Sequence, residues 1–170
     1  MSYITSFPPI ENSSANVLIL GSMPGVASLR AGQYYAHPRN LFWRIMGTLI
    51  QLDPESPYEQ RIEALRRARI ALWDVLHSCE RQGSLDTSID KTSQSANDFR
   101  TFFLQHVHIT HVFFNGATAE QAYRTLVLPN MEINRIEYQR LPSTSPANAS
   151  ISLERKLEAW QAICNARRPE

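Results

Sequence analysis

Apolar and polar positions fall into blocks along the chain, and two periods describe most of them. Mostly apolar runs at 17–20, at 70–76 around Asp74, and at 109–114 around Thr110 and His111 have the length and composition of strands buried on both faces. A fourth run, from Ile133 to Tyr138 and reaching toward Leu141, predicts the last strand. Between these runs, apolar residues recur at spacings of three and four, the mark of helices with one buried stripe. Phe42, Ile45, Met46, Leu49 and Ile50 form one stripe, closed by Asp53-Pro54. Ile62, Leu65 and Ala68 form another, and residues 117–126 a third. A short helix carries Phe99, Phe102 and Phe103. The last helix starts near Ser150 or Ser152 and aligns Leu153, Leu157, Trp160 and Cys164, which makes Cys164 a small core residue. Ser56-Pro57-Tyr58-Glu59 and Ser95-x-x-Asp98 read as capping boxes. Residues 1–16, with Pro8-Pro9, read as an extended lead-in, and 77–93 as a polar loop.

The resulting βαβαβαβα order predicts an α/β domain, a parallel sheet of four strands flanked by helices through right-handed crossovers. A chain of 170 residues is one such domain, 1–170, with a single sizeable core. In this architecture every strand-to-helix loop opens on one edge, where open α/β sheets bind ligands. The first, second and fourth of these loops hold nearly all the unusual residues, so they predict one composite site.

Composition narrows the chemistry mainly by exclusion. The net charge is +1, so no global field announces a polyanionic partner, although 15 of the 17 basic residues are arginine. Two cysteines far apart, Cys79 and Cys164, make no metal-binding pair. His106, His108 and His111 would divide between two faces of a strand. No metal and no cofactor are expected. No segment approaches membrane-spanning length and no signal-like leader is present, so a cytoplasmic protein without membrane association is expected. The glycine-rich phosphate fingerprints and the nucleophile elbow are missing. What remains in the loops is amide, hydroxyl, aromatic and backbone chemistry. Such groups orient water, stack on a planar base and contact phosphates.

Together the loops resemble the uracil-DNA glycosylase superfamily over nearly the whole chain, most closely its hypoxanthine-DNA glycosylase branch. The residues that carry this are Gly21-Ser22-Met23-Pro24-Gly25 and Tyr34-Tyr35-Ala36-His37-Pro38-Arg39-Asn40-x-Phe42-Trp43. Leu72-Trp73-Asp74-Val75, Gly83-Ser84-Leu85-Asp86, Asn115-Gly116 and Leu141-Pro142-Ser143-Thr144-Ser145-Pro146-Ala147 add to them. The resemblance implies a three-layer sandwich and a monofunctional DNA glycosylase acting on deaminated bases in DNA, chiefly hypoxanthine. A uracil or mismatched-uracil enzyme is the first alternative, and a non-catalytic nucleic-acid-binding module the second.

The resemblance also implies roles. Flipping brings the base into the pocket, because the glycosidic carbon is unreachable in a stacked duplex. Tyr35 would stack on the flipped base, with Gly21, Ser22, Met23, Asp74 and Asn115 around it. Pro24, His37, Ser143, Thr144, Ser145, Pro146 and Ala147 would meet the DNA. Many relatives place an Asp or Asn where this chain has Met23; a thioether cannot activate water, so the catalytic role falls to Asn40. Relatives specialised for uracil begin the last motif with His, where this chain has Ser143. Ala147 is small where some relatives insert a bulky wedge. Asp74 either accepts from the base's N1–H or caps its own loop; Asn115 either bonds the base or caps the following helix. His37 orients the loop or touches phosphate. A lyase step is not expected, since Lys91 is the one lysine near the loops, and a monomer is expected.

Overall fold

The computed structural model describes residues 1–167; the last three residues of the expected 1–170 domain lie outside them. In chain order the elements are β1 (Ser2–Thr5), β2 (Val17–Gly21), α1 (Val26–Ala31), α2 (Phe42–Ile50) and α3 (Tyr58–Arg67). Then come β3 (Ile70–Asp74), β4 (Leu76–Arg81), β5 (Ser95–Ala96), α4 (Phe99–Gln105) and β6 (His111–Asn115). The chain continues through α5 (Ala117–Leu126), β7 (Glu137–Leu141), α6 (Leu153–Trp160) and α7 (Ala162–Ala166). Four strands form a parallel sheet in the order β3-β2-β6-β7.

The apolar runs become strands because helices cover both faces. Leu18, Leu20, Ala71, Trp73, Val112 and Phe114 pack with Phe99, Phe102 and Phe103 of α4 and with Ala119, Ala122 and Tyr123 of α5. Val17, Ile19, Ile70, Leu72 and Phe113 pack on the opposite face with Phe42, Ile45, Met46, Leu65, Trp160 and Ile163. This is the expected α/β sandwich of three layers. Trp43 and Trp73 belong to these cores. The strand order reverses at β2, since β3 lies on one side of it and β6 on the other. That switch point opens a crevice at the carboxyl ends of the strands.

Several local expectations change. The second apolar run breaks at Val75, and Leu76 starts β4, which pairs antiparallel with β1 and β5 in a separate sheet. The expected 77–93 loop therefore begins as a strand, hidden from view because its buried positions include Ser78 and Arg81. The lead-in is extended as expected, with Ile10 bridging to Leu72. The last sheet strand starts at Glu137 rather than Ile133, in register with His111 of β6. Ser56 donates to the Asp53 carbonyl instead of capping α3. The second capping box is reversed: Asp98 caps α4 by accepting from the Thr101 N–H at 3.0 Å, and Ser95 lies in β5. Ser152 caps α6, which breaks at Gln161 before α7. The long first loop contains α1, too short for its period to stand out.

Candidate active site

At the switch point lies a cleft of about 650 Å³, a volume suited to a small planar ligand. Each of the fourteen sequence-predicted residues lines it, from Gly21–Pro24 through Tyr35, His37, Asn40, Asp74 and Asn115 to Ser143–Ala147. The sheet places them: Gly21, Asp74 and Asn115 are the last residues of β2, β3 and β6.

The first loop is held by its own aromatic residues. Tyr34 is buried, its hydroxyl donates to the Pro8 carbonyl at 2.8 Å, and its carbonyl accepts from the Trp43 indole at 2.9 Å. Tyr35 follows with φ +53, a left-handed backbone unusual for a non-glycine residue. Its ring stacks on Phe42 at 4.1 Å, and the residue lines the cleft. His37 accepts the Arg39 N–H through Nδ1, so it orients the turn that presents Asn40. Asn40 is half-buried, and its Oδ1 accepts the Phe42 N–H at 3.0 Å at the start of α2. An amide oxygen has two lone pairs, so one remains free while the first fixes the side chain. Met23 is 7% exposed and packs in the core. Its side chain offers the cleft only a thioether, which cannot activate water.

Asn115 joins three segments. Its amide donates to the Tyr35 hydroxyl at 3.1 Å and to Thr144 Oγ1 at 2.9 Å, while its Oδ1 accepts the Thr144 N–H at 2.9 Å. It does not cap α5, whose cap is Gly116. Gly116 has φ +94, and a Cβ there would meet Ser143 Cβ at 3.0 Å, so the close approach of the fourth loop needs glycine. That loop is pinned internally by Ser143 to the Ser145 N–H, Ser145 to the Ala147 N–H, and Asn148 to the Ser143 carbonyl. Lys156, almost fully buried, donates to the Asn148 carbonyl at 2.8 Å.

On the other side of β2, Asp74 is 4% exposed and its Oδ2 has no hydrogen-bond partner. Burial first, and then the Asp86 charge, push its carboxyl up to about 7, with Arg81 opposing. A Cβ on Gly21 would stand 2.5 Å from Asp74 Oδ1 and 2.9 Å from the Tyr35 hydroxyl, so strand end, carboxyl and ring are in close packing. Asp86, raised mainly by burial, accepts the Ser22 hydroxyl at 2.8 Å. Arg81 spends donors on the Gly83 and Pro24 carbonyls, which ties β4 to the first loop. Sequence reasoning gave no role to Arg81, Asp86 or Lys156. Asp86 stood in the Gly83-Ser84-Leu85-Asp86 motif without a role of its own, and Arg81 and Lys156 showed only as single charges in a polar loop and in the last helix. Among the described residues no cluster of His, Cys, Asp or Glu is arranged to hold a metal ion.

An aromatic ring, a fixed amide and a buried carboxyl beside a doubly braced loop make a pocket whose size and groups suit a planar heterocycle. Comparison with known proteins agrees with that class. The model of the uracil DNA glycosylase superfamily matches residues 8–165, and the chain belongs to that superfamily. It is 37% identical over 155 residues to a hypoxanthine DNA glycosylase of Methanosarcina barkeri, covering 91% of this chain and 93% of the relative. It is 35% identical over 158 residues to a hypoxanthine DNA glycosylase of Methanosarcina acetivorans, covering 92% and 95%. A solution NMR structure described as a candidate uracil DNA glycosylase, also from Methanosarcina acetivorans, superposes with a TM-score of 0.81 at 32% identity. That match covers 98% of this chain and 100% of the other.

Proposed function

We propose that this chain is a monofunctional DNA glycosylase that releases deaminated bases, hypoxanthine first, from DNA. The observation that carries the reading is the pairing of Met23 with Asn40. The core takes Met23, and the amide of Asn40 is left at the cleft with one oxygen lone pair free. Held there, a water attacks the anomeric carbon as the glycosidic bond breaks by an oxocarbenium-like path. The base departs between Tyr35 and the Asp74 side of the pocket, beside Gly21, Ser22 and Asn115. Asp74 Oδ2 lacks a donor, and the N1–H that deamination creates on a purine supplies one. The imide N–H of uracil supplies the same donor, which supports uracil as the second substrate. Pro24, His37 and the 143–147 loop face the DNA strand. No helix among the described residues is long and apolar enough to cross a membrane. We place the enzyme in the cytoplasm, acting as a monomer on DNA that holds a deaminated base.

The test is release of hypoxanthine from a deoxyinosine oligonucleotide in EDTA. Asn40→Ala is expected to reduce the single-turnover rate by roughly 10²–10³-fold, the range seen on loss of one transition-state contact. Full activity in the variant removes Asn40 from the mechanism. No release from inosine, uracil or xanthine substrates removes the function, and a gel shift on the same duplexes then identifies a binding module. Faster release of uracil than of hypoxanthine reverses the substrate order.

A further inference from the structure

Five large apolar side chains stand exposed among the described residues: Met1, Tyr3, Leu85, Leu104 and Val107. Leu85 alone of these lines the cleft, and it is 56% exposed there. A single exposed leucine is ordinary on a protein surface. This one is distinguished by how firmly it is held. Gly83, at φ +71, turns the chain after β4, and its carbonyl accepts from Arg81 Nε at 2.8 Å. Next to Leu85 on one side, Ser84 Oγ accepts the Val26 N–H at 2.9 Å. On the other side, Asp86 accepts the Ser22 hydroxyl at 2.8 Å. The Leu85 carbonyl accepts the Ser88 N–H at 3.0 Å as a short 3₁₀ turn begins. Both neighbours are thus bonded to the first loop of the base pocket, while the leucine between them stays uncovered.

Extruding a base leaves a gap in the stack, and proteins that open DNA fill such gaps with apolar side chains. In the fourth loop Pro146 and Ile151 are half-covered and the exposed apolar residues, Ala147 and Ala149, carry only a methyl group, while Met23 is packed in the core. Asp86 turns inward to Ser22, so the tip beside the DNA is apolar rather than anionic. We infer that Leu85 is the wedge: it enters the duplex from the loop after β4 and takes the place of the flipped nucleotide. The inference rests on the glycosylase reading above. It assigns the wedge to a loop that carries no other part of the chemistry.

The experiment compares Leu85→Ala with wild type on deoxyinosine in a duplex and in the same oligonucleotide single-stranded. The side chain is exposed, so the variant is expected to melt with the wild type. Duplex release should fall by roughly tenfold or more, the scale set by unstacking a base step, while single-strand release moves far less. Leu85→Met should restore the duplex rate. An unchanged duplex rate, or equal losses on both substrates, overturns the wedge. A readout free of catalysis separates this from the glycosylase reading: 2-aminopurine placed beside an abasic-site analogue in a duplex. Wild type should brighten it on binding and Leu85→Ala should not. If wild type releases no base at all, the glycosylase reading fails and the fluorescence still decides the wedge. Absence of brightening with wild type overturns it.

Discussion

On the β6 side of β2, Asn115 and the 142–148 loop spend their polar groups on one another; on the β3 side, Asp74 is buried with an oxygen unbonded. The two strand ends both line the cleft, yet only one has its polar atoms bonded within the protein. A fully bonded amide makes a rigid scaffold. A buried carboxyl without a donor is costly on its own and gains most when a ligand brings one. On the glycosylase reading, the contrast divides the pocket into a part that holds its shape and a part that would recognise the base.

Breaking the recognising side should show the largest effect on stability. In the unfolded chain Asp74 ionises near 3.8, and in the folded protein at about 7. Between those values the folded state keeps a proton that the unfolded state has released, so stability falls as pH rises and levels off above 7. The difference amounts to at most about 4 kcal/mol. Asp74→Asn should remove this slope, and urea denaturation at pH 5 and pH 8 measures it. Equal pH dependence in variant and wild type would mean Asp74 is ionised throughout. The scaffold side should respond differently. Asn115→Leu leaves the Thr144 N–H unpaired in a buried loop, with an expected loss of about 1–3 kcal/mol at every pH. Thermal unfolding reads it, and base release should drop with it because Tyr35 loses its hydroxyl partner. Ser22→Ala is the mildest test. It removes one donor to Asp86 and should cost about 1 kcal/mol, visible only above the pH at which Asp86 ionises. A larger loss below that pH would place Ser22 in the scaffold instead.

The four-stranded sheet and the cleft were legible because both rest on long signals. Short, mostly apolar runs bounded by turn residues fit strands buried on both faces, and parallel strands send their loops to one edge. That is why all fourteen predicted residues line one cleft. The second sheet was not legible. β4 reads Leu-His-Ser-Cys-Glu-Arg, and its burial depends on β1, whose partners lie more than seventy residues away in sequence. Asn115 shows a further limit. An amide at a strand end suits a ligand contact or a cap, and only the fold reveals it as a three-way brace. Arg81 is the hardest case, since its guanidinium is buried by backbone carbonyls that leave no mark on the side-chain pattern.

The brace at Asn115 also imposes an order of assembly. Leu41 donates to the Thr144 carbonyl, and Asn115 to the Thr144 side chain, so the first loop is locked by a residue that follows it far along the chain. A chain emerging from the ribosome can pair β2 with β3 and β6 while its cleft still lacks one rim. Domains gain such long-range contacts only when the distant segment has been synthesised. A nascent chain lacking Thr144 therefore has no closed pocket, and the rim forms only once the fourth loop has been made.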